Sequence, residues 1–162
     1  MKKQFLVFMI MLSSIPVFSQ THSFDIFMYQ SPDFFTRNEL TTMVQFNLTN
    51  NDTSFCSITL YKSRPAKADA KEDVVSGWNK LVKKRFSKAD KIPGRIYTQQ
   101  TWDGWASTLA IGNFYQNKKK CVVMLNSFRK NETIACAVFA FSDKSFKGTV
   151  ELFSKNLHLI NQ

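Results

Sequence analysis

The chain has 162 residues and a formal net charge of +10 at pH 7. That length is one domain's worth, with a single core burying about two-thirds of the surface the unfolded chain exposes. The sequence contains no internal repeat, no low-complexity tract and no apolar run long enough to span a bilayer, which excludes solenoid, linker-rich and helical-membrane architectures.

The N-terminal segment has the layout of a cleavable signal peptide. Lys2 and Lys3 form a positive start, Phe5 to Val17 is apolar apart from Ser13 and Ser14, and Val17-Phe18-Ser19 suits a signal peptidase. Residues 1–19 are therefore expected to be removed, leaving one α+β domain over 20–162. The alternative of a membrane anchor conflicts with the short apolar run, which falls below the roughly 18 to 20 residues a span needs. No cysteine follows that run, so a lipidated N-terminal cysteine is not available. Loss of Lys2 and Lys3 leaves +8 spread along the domain. Such a charge promotes association with acidic surfaces without identifying one.

Thr41 to Phe46 and Ser54 to Tyr61 are rich in β-branched and aromatic residues and flank the polar run Thr49–Thr53, which predicts a hairpin. Alternation in the second strand puts Cys56, Ile58 and Leu60 on the core face. After Arg64-Pro65, residues Val74, Val75, Trp78, Leu81, Val82 and Phe86 form one stripe of a helix, started by a capping pair, Asp69 and Glu72. Lys83, Lys84 and Arg85 fall in its last turn, where the helix dipole favours cations.

Asp103-Gly104 between Arg95–Trp102 and Trp105–Gly112 predicts a two-residue hairpin turn with Trp102 opposite Trp105. Those indoles are either a ligand platform or cross-strand packing. Lys118, Lys119 and Lys120 precede the apolar strand Cys121–Leu125, and Thr133–Phe141 is its partner. Placing the turn near Arg129–Glu132 sets Leu125 opposite Cys136. Both strands are apolar on both faces and should be central. A last helix carries Phe146, Val150, Phe153 and Leu157, with Ser142 or Asp143 as its cap. The order is β-β-α-β-β-β-β-α, an antiparallel sheet of about six strands with helices packed on its faces, and a short element near Phe24–Tyr29.

The run Cys56-Ser-Ile-Thr-Leu-Tyr-Lys-Ser-Arg, the helix segment Trp78-Asn79-Lys80-Leu81-Val82 and the sequence Trp102-Asp103-Gly104-Trp105 resemble a family of uncharacterised secreted bacterial domains. These are similar in element order to the Mog1/PsbP-like fold, an antiparallel sheet between helices. The resemblance covers most of the chain after the signal and implies an accessory or protein-binding role without enzymatic activity.

No catalytic constellation emerges from the residues. His22 and His158 lack a second ligand at metal spacing. Asp69, Glu72 and Asp73 belong to a helix start, and there is neither a phosphate loop nor a nucleophile elbow. Asn47-Leu48-Thr49, Asn51-Asp52-Thr53 and Asn131-Glu132-Thr133 match a glycosylation triplet that is common by chance. Cys56, Cys121 and Cys136 allow three buried thiols or one bridge; the expected register holds Cys121 about 13 Å along the strand from Cys136, so a bridge would join Cys56 to Cys121 or Cys136. The sequence thus reads as an exported binding or accessory domain with no cofactor, in contact with a protein or small ligand, and a nucleic-acid partner is disfavoured. Its candidate surface is Trp102, Trp105, Arg95, Lys118, Lys119 and Lys120. The alternatives are a secreted hydrolase, and an electrostatic binder of acidic glycan or nucleic acid.

Overall fold

A computed structural model describes residues 20–51, 54–86, 88–101 and 103–160. The expected signal peptide (residues 1–19), the middle of the first hairpin turn with its glycosylation triplet, and Trp102 lie outside the described residues.

Alternating side chains on long β-branched and aromatic runs produce one seven-stranded antiparallel sheet. Its strands are β3 (Thr36–Leu40), β4 (Met43–Asn51), β5 (Ser54–Pro65), β6 (Arg95–Gln100), β7 (Ala106–Gln116), β8 (Lys119–Lys130) and β9 (Thr133–Phe141), in the order β3-β4-β5-β9-β8-β7-β6. A second, three-stranded sheet joins β1 (Thr21–Phe24) and β2 (Phe27–Gln30) to the short β10 (His158–Leu159). The expected sheet of about six strands thus gains β3. That strand, Thr-Arg-Asn-Glu-Leu, is exposed at every residue, so no apolar alternation marks it.

Each face of the large sheet builds its own core. Helix α1 (Ala70–Gly77), prolonged by a π-helical turn over Trp78–Lys83, lays Val74, Trp78 and Val82 on Ala110, Val123, Leu125 and Val138. On the opposite face, helix α2 (Lys147–Lys155), preceded by a 3₁₀ turn at Lys144–Phe146, packs with the small sheet. There Phe27, Tyr29, Val150 and Phe153 meet Phe46, Ile58, Ala137 and Phe139. Central β9 alternates between the two cores residue by residue, as the expectation of apolar strands covered on both sides requires.

Asp69 Oδ1 accepts from Glu72 N at 2.8 Å and caps α1. The next acidic residue, Asp73, is 1% exposed and accepts from Lys67 N (2.7 Å) and Arg129 Nη1 (2.6 Å). A buried carboxylate without partners would cost several kcal/mol, so this pair fixes where the helix starts on the sheet. The stripe expected from the sequence is narrower in the structure: Val74, Trp78 and Val82 are buried, whereas Val75 is 46% exposed. Trp78, where the π turn begins, lies over β7, where Gly112 leaves room for the indole, and its Nε1 donates to Asp90 O at 2.9 Å. Burying this side chain removes on the order of 200 Å² from water, worth about 5 kcal/mol.

Two registers differ from expectation. In β8–β9 the connection is the pair Asn131-Glu132, Leu125 faces Val138, and Cys136 faces Ser127. Arg129 and Lys130, read as turn residues, remain in the ladder because Arg129 reaches Asp73. The slip is two residues, so every side chain keeps its expected face. In β6–β7, Gln100 pairs with Ala106, Thr101 N donates to Trp105 O (2.8 Å), and Gly104 N donates to Thr101 O (3.1 Å) with Gly104 at φ +76°. The pairing of Thr101 with Trp105 replaces the expected two-residue turn by a longer connection.

A Cβ on Gly112 would lie 2.8 Å from Trp78 Cζ2 and Cη2 and 3.2 Å from Asp90 Oδ2. Gly112→Ala is therefore expected to destabilise the domain by about 1–3 kcal/mol through overpacking, read as a lowered urea midpoint with loss of the Trp78 near-ultraviolet signal. An unchanged midpoint would mean that α1 is not seated through this contact.

Candidate functional site

An open groove of about 830 Å³ runs between the start of β1, the loop from Gln30 to Phe34, and the outer side of α2. Its lining residues His22 and Phe153 are backed by aromatic packing: the buried Tyr29 stacks on His22 (5.8 Å between centroids) and meets Phe153 (6.2 Å) and Phe46 (5.4 Å). Arg37 Nη2 donates to Tyr29 OH at 3.2 Å. Burial holds the Tyr29 phenol above its ordinary range, with the Arg37 hydrogen bond pulling the other way. Tyr29 is thus a fixed core residue behind the groove and not part of its lining.

The rim carries the more telling residue. Phe35 N donates to Pro32 O at 3.4 Å and closes a four-residue turn whose third position is Phe34, at φ +66°. That position ordinarily belongs to glycine or asparagine, and a bulky residue there costs of order 1–3 kcal/mol. Phe34 recovers none of it through packing, since it is 93% exposed. Across the groove Leu152 on α2 is 62% exposed. Two apolar side chains thus flank a cleft otherwise edged by Gln20, Gln30, Asp33 and Asn156. Sequence reading missed this site because the segment was left without an element. The available signal was Pro-Asp-Phe-Phe, a turn opening followed by an aromatic where glycine is usual.

The surface expected from the sequence is dispersed. Trp105 is 3% exposed and belongs to the core under α2, and its indole N–H finds no partner among the described residues. It is a packing residue and not an exposed platform. Arg95 begins the exposed edge strand β6, opposite Ile111. Lys118 occupies the two-residue β7–β8 turn, Lys119 lies 3.8 Å from Asp143, and Lys120 faces Tyr115. Asp143 Oδ1 caps the 3₁₀ turn through Ser145 N (2.9 Å); that bond, with Lys119 helping, keeps its carboxyl below the ordinary range. From Trp105 to Tyr115 the strand runs about 33 Å, so the indole and the lysines sit at opposite ends of the sheet. Arg95 and Lys120 do share one sheet face, about 13 Å apart along the strands.

Cys56, Cys121 and Cys136 are free, buried thiols. Cys56 points into the α2-side core, Cys121 and Cys136 into the α1-side core. The sheet itself lies between them, which rules out the Cys56 bridge considered from the sequence. Burial pushes the Cys56 thiol up to about 12 and the Cys136 thiol up to about 11, values that suit packing residues and not nucleophiles. Among the described residues no group of three His, Cys, Asp or Glu side chains could hold a metal ion. No helix among them is long and apolar enough to cross a membrane.

No family model and no curated protein matches the sequence. Solved structures are similar to it in fold alone. The Ran-binding protein Mog1p of Saccharomyces cerevisiae is similar at a TM-score of 0.55 and 10% identity, over 88% of this chain and 97% of that one. The cyanobacterial PsbP (CyanoP) of Synechocystis sp. PCC 6803 is similar at 0.55 and 8% identity, over 87% and 92%. A protein from Bacteroides thetaiotaomicron is similar at 0.53 and 10% identity over 89% of this chain, which spans about half of that longer one (49%). The chain has the Mog1/PsbP-like fold, as the resemblance in its strand and helix residues implied.

The thiols give the fold a defined alkaline limit. A pKa of about 11 or 12 in the folded state lies above the ordinary value of about 8.5. The unfolded chain therefore releases these protons first, and stability that is complete below about pH 8.5 declines as pH rises toward the folded values. The urea midpoint should fall above about pH 9, and Cys136→Ala should flatten that decline relative to the parent protein. Parallel pH profiles for the two would contradict it.

Proposed function

We propose that the chain is an exported binding or accessory domain without enzymatic activity, and that it docks a protein partner on the groove rim formed by Phe34 and Leu152. The observation that carries this reading is Phe34 itself, an aromatic held at positive φ and almost fully exposed. A residue that weakens the free protein and packs against nothing is retained for something outside it. The rim suits an apolar anchor entering a partner's pocket, with the polar edges of the groove supplying orientation. A fold neighbour described as a Ran-binding protein supports protein binding as a use of this architecture. The export reading rests on Lys2, Lys3 and the apolar run to Val17; it is checked by the intact mass of the protein recovered from its native envelope or medium, which should begin at Gln20.

Phe34→Gly separates function from stability. It relieves the turn at the loss of almost no buried surface, so the domain should gain up to about 1 kcal/mol while a photocrosslinker at position 152 no longer yields a discrete adduct in cells. Phe34→Ala should lose the adduct without the gain. An adduct that survives both substitutions would remove the rim from the binding surface.

A further inference from the structure

The opposite face of the sheet holds a second, smaller site where α1 ends. Arg85 lies just beyond the π turn and folds back onto β5. Its Nη1 donates to Thr59 Oγ1 (2.7 Å) and Tyr61 OH (3.2 Å), and its Nη2 donates to Ser57 Oγ (3.3 Å). Thr59 is fully buried and Ser57 nearly so, while Phe86 lies under the guanidinium, 5.4 Å from its carbon. Three hydroxyls orient the group and none of them neutralises it. No carboxylate among the described residues comes within ion-pair distance of Arg85 or of Lys88. The nearby carboxylate of Asp90 is engaged by Asn113 through its backbone N–H (2.7 Å) and Nδ2 (3.2 Å).

Arg85 and Lys88 line one pocket of about 280 Å³ with Phe86, Phe114, Gln116 and Asn117. The volume lies just under the range of about 300–1,000 Å³ usual for small-molecule pockets, so its occupant is small. Phe86 and Phe114 pack together at its back, with ring centroids 4.6 Å apart and Phe114 buried, and Asn117, at positive φ, stands at the rim. Of the five N–H groups of the guanidinium, the three bonds to β5 leave Nε–H and one Nη2–H. These are donors on neighbouring nitrogens, the arrangement that receives the two oxygens of a carboxylate.

We propose that this pocket binds a small organic carboxylate, with Arg85 as the two-pronged donor, Lys88 as the second cation and the edge of Phe86 beside a short carbon skeleton. The site stands at a helix C-terminus, whose partial negative charge disfavours a dianion more than a monoanion. Phosphate sites more often use helix N-termini. The site is on the other side of the sheet from the Phe34 groove, so its failure would leave the protein-docking reading intact, and the reverse.

The test is a ¹H–¹⁵N titration of the protein with sodium propionate and sodium benzoate, at constant ionic strength, with propionamide and inorganic phosphate as comparators. The carboxylates should give saturable shifts at the amides of Phe86, Gln116 and Asn117, and propionamide none. Arg85→Lys, which keeps the charge and loses the paired donors, should weaken binding about tenfold, the worth of a charge-assisted hydrogen bond. Lys88→Gln lies on an exposed loop, leaves the sheet contacts in place, and should weaken binding several-fold with an unchanged unfolding midpoint. Phosphate binding more tightly than either carboxylate would overturn the assignment. So would non-saturating shifts scattered over the lysines, or affinities unaltered in both variants.

Discussion

Trp78 lies against the bare backbone of Gly112, and much of the remaining arrangement follows from that contact. A tryptophan can approach a strand this closely only where no Cβ intervenes. The indole N–H must also find an acceptor, here Asp90 O. Asp73, fixed to Arg129 near the start of α1, and Trp78 at its end seat the helix at two points, and the π turn begins at Trp78 itself. The same turn rotates the chain so that Arg85 meets the hydroxyls of β5. A packing constraint in the middle of the helix thereby determines what chemistry is displayed at its end.

The sheet divides the molecule into two working surfaces. One carries α2 and the small sheet, whose edges leave the groove beneath Phe34. The other carries α1, which covers β7 to β9 and ends beside β5, where Ser57 and Thr59 replace apolar residues. That polar stretch would be a defect under a continuous helix. Under Arg85 its hydroxyl groups become acceptors, and the cation they hold is available to the pocket next to it.

What could be read beforehand follows from how local each signal is. The hairpin of β4 and β5, the Asp69 cap, the faces of β8 and β9 and the stripe on α2 are set by spacings within a dozen residues, and all were legible. The β8–β9 register was not, because whether Arg129 turns or stays in the ladder depends on Asp73, 56 residues away. The seat of Trp78 depends likewise on Gly112, 34 residues away, and β3 had no apolar alternation to reveal it. For the sites, residue type was a poor guide. Tryptophans and a lysine run attracted attention, yet Trp105 is core and Lys119 neighbours Asp143. Arg85 looked like an ordinary helix-end cation, and its three hydroxyl partners lie 24 to 28 positions earlier in the chain.

The placement of the three thiols on two sides of one sheet sets a race during synthesis. Cys56 is shielded only once β9 has paired with β5, with Phe141 opposite it, so most of the chain must exist before that thiol is protected. Non-local pairing of this kind is slow. A chain of this design entering an oxidising compartment is vulnerable to mispaired cysteines in the interval before its central strands assemble, and chemically quiet afterwards. Its dependence on reductants or chaperones would then be confined to the nascent state, and the mature protein could hold an odd number of cysteines without crosslinking to its neighbours.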